Sequence, residues 1–493
     1  MSTIRKLAGQ TAIYGVSSML GRFVNYLLTF LHTRILEPQQ YGVVNGMFAY
    51  TAFLLILFTY GMETALFRFA SKDEHPVKES FSTAMRSIMV TSTFLCLLMV
   101  VFRVPLCNFL GFEGHSEFIA WFAVIMWADS ICAIPLVKLR IENRPVKFAA
   151  INLTKILTNV FFNIFFLVIC PYLLKHGFNW VSFIYNQEHL IAYVFISNLI
   201  SSILGLVLVF PALSTINLFN KKIWKSMLWY ALPLLPMGMA GMVNEVLDRI
   251  LLLRMIPDHF TAQYQTGIYG ANYKFAMLMT LFVQAYRYAA EPFFFAEAKK
   301  QDARQKYASI MNYFVIACCV MFMSITFYID IIKHLLGKKE YYIGLTVVPI
   351  LLLANMFNGI YINLSIWFKL SDQTRFGLFL TGFGAIITIV LNIIWIPVYG
   401  YIGCAWATLI CYSATMILCY ILGQKYYPVP YKVFRILGYI SFTLLLFFVS
   451  NYLKLRISSQ PLYLAVNGLL ICAFATLAFY IENGKKLYLQ RPE

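Results

Sequence analysis

The sequence contains apolar runs that are too long and too free of charge to belong to a water-soluble domain. Leu190–Leu213 covers 24 residues without one Asp, Glu, Lys or Arg. A helix needs about 20 mostly apolar residues to cross the hydrocarbon core of a bilayer. Breaking the chain at charge clusters, proline and glycine gives fourteen such runs, at 8–34, 42–69, 82–110, 116–139, 147–171, 189–213, 224–256, 264–290, 307–335, 342–369, 374–396, 402–424, 434–453 and 461–481.

The scarcity of charge supports the same interpretation. Only 12% of the 493 residues are charged and 60% are hydrophobic, whereas a soluble domain carries roughly 25% charged residues to cover its surface. The sequence therefore predicts an all-α integral membrane protein with about fourteen transmembrane helices. Arg5 and Lys6 precede a long mixed segment and not a short apolar core with a cleavage site, so no cleaved signal is expected.

The distribution of basic residues predicts the orientation of the chain in the membrane. With the N-terminus in the cytoplasm, 25 lysines and arginines fall on the cytoplasmic side, 9 on the other side and 5 within spans. Cytoplasmic loops carry the excess of Lys and Arg. We therefore expect both termini to be cytoplasmic. This bias also explains most of the formal net charge of +18, so no nucleic acid is expected as a partner.

Faint internal similarity predicts two related lobes. Gly21 and Arg34 flank the end of the first span as Gly241 and Arg254 flank the end of the seventh, and Gly42 corresponds to Gly267. Six spans precede the seventh, so both halves start in the same direction. Parallel repeats of this kind place a transporter's substrate site between its halves. We predict an N-terminal lobe at 1–220, a C-terminal lobe at 221–425, two additional helices at 426–493, and a central cavity between the two six-helix lobes.

The sequence contains no recognisable catalytic motif. It lacks a GxxxxGK[ST] phosphate loop, an HExxH motif and a DxD pair, and its connections are too short for a soluble domain. The ten cysteines show no metal-ligand spacing and read as small apolar residues. We therefore predict a protein that is not an enzyme and that needs neither a metal nor an organic cofactor.

A charged stripe in the seventh span, in the segment "MVNEVLDRILLLRM", is out of place in lipid. Glu245, Asp248 and Arg249 fall within one arc at about 100° per residue. A charge at the bilayer centre costs at least about 2.5–3.5 kcal/mol, so it usually faces a cavity or a partner. Two acids beside one base leave a site for a proton or cation, which predicts ion coupling at Glu245 and Asp248. The alternative is that Glu245 and Arg249 form a structural i,i+4 pair.

Four further bases lie inside predicted spans, namely Arg22, Lys155, Lys274 and Arg287. Arg287 has an i,i+4 partner in Glu291, so a structural pair is the alternative there. Among the acids, Glu63 is close enough to the end of its span to reach water, and Asp129 could cap a helix break before Pro135.

The residues of the first span and its neighbour carry a family resemblance. Tyr14-Gly15, Gly21-Arg22, Thr33-Arg34, Tyr41-Gly42 and Arg68-Phe69 lie within residues 9–70. This stretch resembles the opening of bacterial polysaccharide-biosynthesis flippases of the multidrug/oligosaccharidyl-lipid/polysaccharide exporter superfamily. "IPVYGYIGCAWATL" at 396–409 resembles a later signature of that family, although Cys404 and Trp406 depart from its usual small residues.

The resemblance implies fourteen helices around a central cavity in the bacterial inner membrane. It also implies transfer of undecaprenyl-pyrophosphate-linked oligosaccharide from the cytoplasmic to the periplasmic leaflet, for O-antigen, capsule or exopolysaccharide synthesis. Relatives use a cationic lumen for the pyrophosphate, because fixed cations must replace the water that it loses. The pyrophosphate-binding residues are then expected to be Arg22, Arg249, Lys274, Lys155 and Arg287.

The sugar would need hydrogen bonds and aromatic faces. Tyr14, Asn25, Tyr269, Asn272 and Tyr273 are the candidates. A proton or sodium gradient would drive transport. A monomer is expected, with membrane lipid around it and with a polysaccharide polymerase and glycosyltransferases as candidate partners.

Three alternatives stay open at this stage. A cation-coupled multidrug antiporter of the same superfamily needs an acidic lumen, and the five intramembrane bases argue against it. The others are a membrane-embedded transferase of polysaccharide assembly and a noncatalytic scaffold for assembly enzymes.

Overall fold

The computed structural model describes residues 20–21, 23–71, 76–112, 114–213, 219–298 and 300–488, and helices dominate this part of the chain. No strand occurs in these ranges, so the all-α class is confirmed. The helices are α1 (23–35), α2 (Pro38–Thr59), α3 (Met62–Ser71), α4 (Val77–Val101), α5 (Arg103–Leu110), α6 (Ser116–Ile141), α7 (Pro145–Ile164), α8 (Cys170–Lys175), α9 (Leu190–Leu213), α10 (Lys221–Ala231), α11 (Leu234–Met255), α12 (His259–Glu297), α13 (Ala303–Phe327), α14 (Ile329–Ile332), α15 (Val347–Leu364), α16 (Ile366–Leu370), α17 (Arg375–Tyr399), α18 (Tyr401–Tyr426), α19 (Val433–Arg456) and α20 (Gln460–Tyr488).

Twelve helical stretches within the described residues are long and apolar enough to cross a membrane. Large apolar side chains such as Val90, Val101 and Phe434 are 71%, 73% and 92% exposed on these helices, which is what a lipid-facing surface requires. The chain is thus a multi-pass membrane protein. Of the two remaining predicted spans, about half of 8–34 lies outside the described residues and 264–290 lies inside α12. The count of fourteen and the cytoplasmic termini stay predictions.

Local hydrogen bonds explain where several helices begin. The Asn220 side chain accepts from the backbone N–H groups of Lys222 and Ile223 and so caps α10. The Asp258 carboxylate accepts from the Thr261 backbone N–H at 2.9 Å and from its hydroxyl at 2.5 Å, where α12 starts. These bonds hold the pKa of Asp258 below its ordinary value.

Helix α7 continues into α8 without a break. The residues between them, Phe165–Ile169, form a short π-helical segment. Together they make one apolar stretch of 31 residues, Pro145–Lys175.

The described residues divide into two compact units. The first contains everything up to Gly270 together with Thr388–Tyr401. Its helices α3, α4, α6 and α10 pack around a core that includes Met62, Phe81 and Met227.

The second unit contains Ala271–Ile387 and the residues from Ile402 onward. Here α13 packs against α15, α19 and α20. Glu482 of α20 accepts a hydrogen bond from the Tyr439 hydroxyl at 2.9 Å and from the Asn312 amide at 3.2 Å. Arg435 lies 3.5 Å from the same carboxylate. These polar contacts bind the last two helices to α13. The predicted lobe boundaries at residues 220 and 425 stay a prediction.

Candidate functional site

The first unit contains an open, largely polar cavity of about 560 Å³ among its membrane-crossing helices. Such a cavity is costly to bury in lipid unless it holds water or a polar ligand. Ionisable, amide and hydroxyl side chains line much of it. Its polar lining includes Asn25, Thr59, Glu63, Asp129, Arg140, Asn152, Lys155, Asn159, Asn198, Ser201 and Ser202.

Two of the lining residues form an ion pair that links neighbouring helices. Lys155 Nζ of α7 lies 2.7 Å from a carboxylate oxygen of Asp129 of α6, and the side chains are 19% and 30% exposed. The Ser201 hydroxyl of α9 donates to the backbone carbonyl of Lys155 at 2.7 Å. Three helices thereby fix the position of one partly buried cation.

The sequence analysis selected Lys155 but missed its partner. Asp129 was considered as a possible cap for a helix break before Pro135, but α6 continues through that proline from Ser116 to Ile141. Asp129 and Lys155 are 26 residues apart, and no helical spacing relates them. Two charged side chains in neighbouring predicted spans were the signal that could have suggested the pair.

Acidic and basic side chains are equal in number among the described residues that line the cavity. The acids are Glu63 and Asp129, and the bases are Arg140 and Lys155. Asn25, predicted from the sequence as a sugar contact, lines the same space and is exposed to it. The amides of Asn152, Asn159 and Asn198 were not predicted. With the serine hydroxyls they supply the donors and acceptors that a sugar hydroxyl needs.

The stripe on α11 separates into two different environments. Asp248 is buried, and its carboxylate accepts from the Tyr269 hydroxyl at 2.6 Å and from the Arg249 backbone N–H at 2.8 Å. Glu245 is exposed. The Arg249 guanidinium donates to the backbone carbonyl of Glu245 at 3.1 Å and lies 6.0 Å from the centre of the Tyr269 ring. The two acids therefore differ in exposure and in partners.

Arg287 belongs to a charge network in the second unit. Its Nε lies 3.3 Å from a Glu291 carboxylate oxygen, which confirms the expected i,i+4 pair. Lys369 of α16 contacts the other oxygen of Glu291. Nearby, the Asn363 amide donates to the Tyr286 hydroxyl at 2.7 Å. Lys369 was not selected from the sequence, because 78 residues separate it from Glu291.

The remaining selected residues occupy varied positions. Tyr269 and Asn272 are fully buried and Tyr273 is 7% exposed. The Asn272 amide donates to the backbone carbonyl of Tyr341 at 2.8 Å, so this side chain has a partner within the protein. Lys274 is half-buried. Tyr14 and Arg22 lie outside the described residues. The roles of all these residues in binding remain predictions.

The structure brings the selected residues into separate groups. Lys155 and Asn25 share the cavity, and the α11 stripe and Tyr269 form a second group in the same unit. Lys274 and Arg287 lie in the other unit. Among the described residues no three His, Cys, Asp or Glu side chains are grouped as metal ligands.

Comparisons with known proteins give a family and a fold. A family model described as "Polysaccharide biosynthesis protein" matches residues 7–296, which is more than half of the chain. A comparison with curated protein sequences gave no match.

Two groups of solved structures share the fold. A structure described as "Lipid II flippase MurJ, inward closed conformation" superposes with a TM-score of 0.67 at 16% identity, covering 97% of this chain and all of the other. An inward-facing multidrug resistance MATE family transporter of the MOP superfamily gives a TM-score of 0.61 at 13% identity and covers 82% and 94%. A MATE protein in complex with MaD3S gives 0.56 at 13% identity and covers 85% and 95%. Identities this low establish similarity of fold alone.

Proposed function

The chain belongs to the polysaccharide biosynthesis protein family, and from this premise we propose that it moves an oligosaccharide linked to a lipid carrier across the membrane. The cargo would be undecaprenyl-pyrophosphate-linked oligosaccharide, carried from the cytoplasmic to the periplasmic leaflet of a bacterial inner membrane. The product would serve O-antigen, capsule or exopolysaccharide synthesis. The family and the flippase and transporter structures of similar fold are consistent with a protein that is not an enzyme.

The observation that carries the proposal is the polar cavity of the first unit. An oligosaccharide cannot enter hydrocarbon without replacing the hydrogen bonds that it makes with water. Asn25, Asn152, Asn159 and Asn198 present amides to a space of about 560 Å³ between membrane-crossing helices. The lipid tail can remain in the bilayer while the headgroup crosses, so only the polar part needs this cavity.

The pyrophosphate would be drawn by the intramembrane bases. Lys155 is neutralised by Asp129 in this structure, so it would exchange that carboxylate for a phosphate oxygen when cargo binds. This exchange replaces the charge-assisted bond of Lys155 with another, so the ammonium keeps an anionic partner. The Asp129 carboxylate, whose side chain is 30% exposed, would then be solvated by water in the cavity. Arg22, Arg249, Lys274 and Arg287 are proposed for the same anion at other points of its path.

Coupling to a proton or sodium gradient would use Asp248 and Glu245. Asp248 is the better placed of the two, because it is buried and accepts two hydrogen bonds. Uptake of a proton would convert the charge-assisted bond from Tyr269 into a weaker neutral one. The charge of Asp248 would then determine how firmly α11 is held against α12.

The MATE structures of similar fold make a cation antiporter the second candidate. Glu63 and Asp129 give the cavity two acids, which such a protein needs. Among the described lining residues Arg140 and Lys155 match them in number, so these side chains give the cavity no excess of acids to attract a cation. This balance argues against the antiporter, and the amides and hydroxyls of the lining suit the sugar part of the cargo.

The test is transfer measured on purified protein in liposomes. A fluorescent undecaprenyl-pyrophosphate oligosaccharide is followed from one leaflet to the other, with and without a pH gradient, and a cationic dye is followed in parallel. We expect protein-dependent, gradient-sensitive transfer of the lipid and no efflux of the dye. The reverse pattern would replace the proposal with the antiporter.

The same assay tests Lys155. Lys155→Ala is expected to slow transfer about tenfold or more, because a hydrogen bond to a charged group contributes roughly 1.5–3 kcal/mol. Lys175→Ala removes an equal charge from the exposed end of α8 and should leave the rate unchanged. If Lys155→Ala and Lys175→Ala transfer the lipid at equal rates, Lys155 does not belong to the cargo site.

A further inference from the structure

A second cavity, of about 300 Å³, lies in the first unit where three membrane-crossing helices end. Helix α6 ends at Ile141, α7 begins at Pro145, and the span that contains α9 ends at Pro211. The cavity shares no lining residue with the larger one. We call it the basic cleft and define it by Lys138, Glu142, Arg144, Lys147, Leu208 and Val209.

Basic side chains outnumber acidic ones in the basic cleft by three to one. Glu142 lies 3.2 Å from Arg144 Nε and 3.9 Å from Lys138 Nζ, so it is shared between two cations. Lys138 is also held over the ring of buried Phe81 at 4.4 Å. Lys147 is exposed and has no ion-pair partner among the described residues. The cleft therefore carries an excess of two positive charges.

The inner wall of the cleft is apolar. Leu139, Ile151 and Val209 are buried members of one small hydrophobic cluster. Leu208 on the cleft wall is 36% exposed, and Val146, which precedes Lys147 in the chain, is 70% exposed. A ligand that fills this space meets cations on one side and methyl groups on the other. Inorganic phosphate would leave the apolar wall uncovered, whereas a phospholipid would cover both.

The cleft also lies at a membrane boundary. All three helices that form it change there from apolar span to polar connection. Positive charges at such a boundary attract anionic lipid, and basic pockets between transmembrane helices bind lipid headgroups.

We propose that the basic cleft binds the phosphodiester headgroup of an anionic phospholipid. Lys138, Arg144 and Lys147 would contact the phosphate, and the acyl chains would lie along Leu208 and Val146. This lipid would be a bound component of the protein and not its transported cargo. The proposal does not depend on the transport function.

The test uses the full-length protein purified in detergent. Thermal unfolding is followed as dihexanoyl-phosphatidylglycerol is added, with dihexanoyl-phosphatidylcholine and inorganic phosphate as separate arms. A ligand that binds only the folded state raises the midpoint with concentration. We expect a rise with the anionic lipid alone. Equal rises with both lipids, or a rise with inorganic phosphate as large as with the anionic lipid, would overturn the proposal.

Charge-removing variants locate the site. The triple variant Lys138→Gln, Arg144→Gln and Lys147→Gln should weaken binding on the order of a hundredfold, at roughly fivefold for each basic side chain near an anionic surface. The matched control is Lys221→Gln, Lys222→Gln and Lys225→Gln, which removes three exposed charges from α10 in the same unit. The control should bind as the unaltered protein does.

A single variant provides a second test in case the triple variant does not fold. Lys147→Gln changes an exposed side chain without an ion pair, and should weaken binding about fivefold. Undiminished binding by Lys147→Gln, or an equal loss in the α10 control, would show that the cleft is not the site.

Discussion

At the scale of single residues, Asp248 is a buried acid that accepts hydrogen bonds from two described donors. Its carboxylate is buried and accepts the Tyr269 hydroxyl at 2.6 Å, and Tyr269 is itself fully buried. The bond joins α11 to the N-terminal third of α12 within one unit. Burial of a carboxylate is tolerated when donors replace its water, so the tyrosine hydroxyl is a requirement of the site.

Removing that hydroxyl should destabilise the protein. Tyr269→Phe is expected to lower the free energy of unfolding by about 1–3 kcal/mol, because a buried carboxylate loses one of its donors. The measurement is the unfolding midpoint of the purified protein. Tyr288→Phe serves as the control, since Tyr288 is 47% exposed, and it should leave the midpoint unchanged. Equal midpoints in all three proteins would mean that the bond contributes nothing to folding.

The sequence identified part of the residue-scale site. Arg249, Lys155 and Arg287 were found because a charge within an apolar run needs a partner. The i,i+4 partner of Arg287 was also predictable, since helical geometry fixes it. Asp129 and Lys369 were not, because each pairs with a residue on another helix. Such pairs depend on how helices pack, and one sequence alone does not specify packing.

At the scale of helices, the repeated glycines explain a close crossing. A Cβ added to Gly42 of α2 would lie 1.8 Å from the backbone carbonyl oxygen of Gln263 of α12, and one added to Gly267 would lie 1.8 Å from that of Pro38. The two helices therefore touch backbone to backbone. The sequence matched Gly42 with Gly267 as equivalent positions in two halves, and the structure places these two positions against each other.

A methyl group at this crossing should force the helices apart. Gly267→Ala is expected to destabilise the protein by several kcal/mol, or to separate α2 from α12, because the obstructing atoms are backbone and cannot rotate away. Gly241→Ala is the matched control on α11, where an added Cβ meets nothing within 4 Å. That change should be neutral or slightly stabilising, since alanine favours a helix. Unfolding midpoints compare the two, and a tolerated Gly267→Ala would contradict the close crossing.

The full lengths of the helices were not predictable from the apolar runs in the sequence. The apolar run at 264–290 predicted a span, but α12 extends from His259 to Glu297. Polar residues continue a helix as readily as apolar ones, so hydropathy marks the lipid-facing part and not the whole element. The π-helical segment at Phe165–Ile169 gave no signal either, because five apolar residues fit any helix.

At the scale of the whole molecule, the distribution of Lys and Arg predicts the orientation in the membrane. With cytoplasmic termini, Lys222 lies in the cytoplasm and Lys175 on the opposite side. In a background carrying Cys472→Ser, which removes an exposed native thiol, Lys175→Cys should react with a membrane-impermeant reagent added outside intact cells. Lys222→Cys should react only after the membrane is opened. The opposite pattern would reverse the orientation.

The class of the fold was predictable and the arrangement of its parts was not. Long apolar runs separated by charge clusters require membrane helices, because lipid offers no other partner for the backbone. The cavity of the first unit was not foreseen. Asn198 is a single asparagine in its apolar run and carries no signal by itself. Asn152 and Asn159 share a run with Lys155 at spacings that place all three on one face of a helix, and this stripe was a signal that the sequence analysis did not use.

The measurement that tests the central claim most directly is the rate of lipid-linked oligosaccharide transfer by a protein whose cavity is filled. Asn198→Trp places a large ring in the cavity of the first unit, and Thr476→Trp places the same ring on the exposed face of α20. In liposomes carrying equal amounts of folded protein, Thr476→Trp should transfer the lipid as the unaltered protein does, and Asn198→Trp should fall to the rate of protein-free liposomes. Undiminished transfer by Asn198→Trp would contradict a route for the headgroup through this cavity.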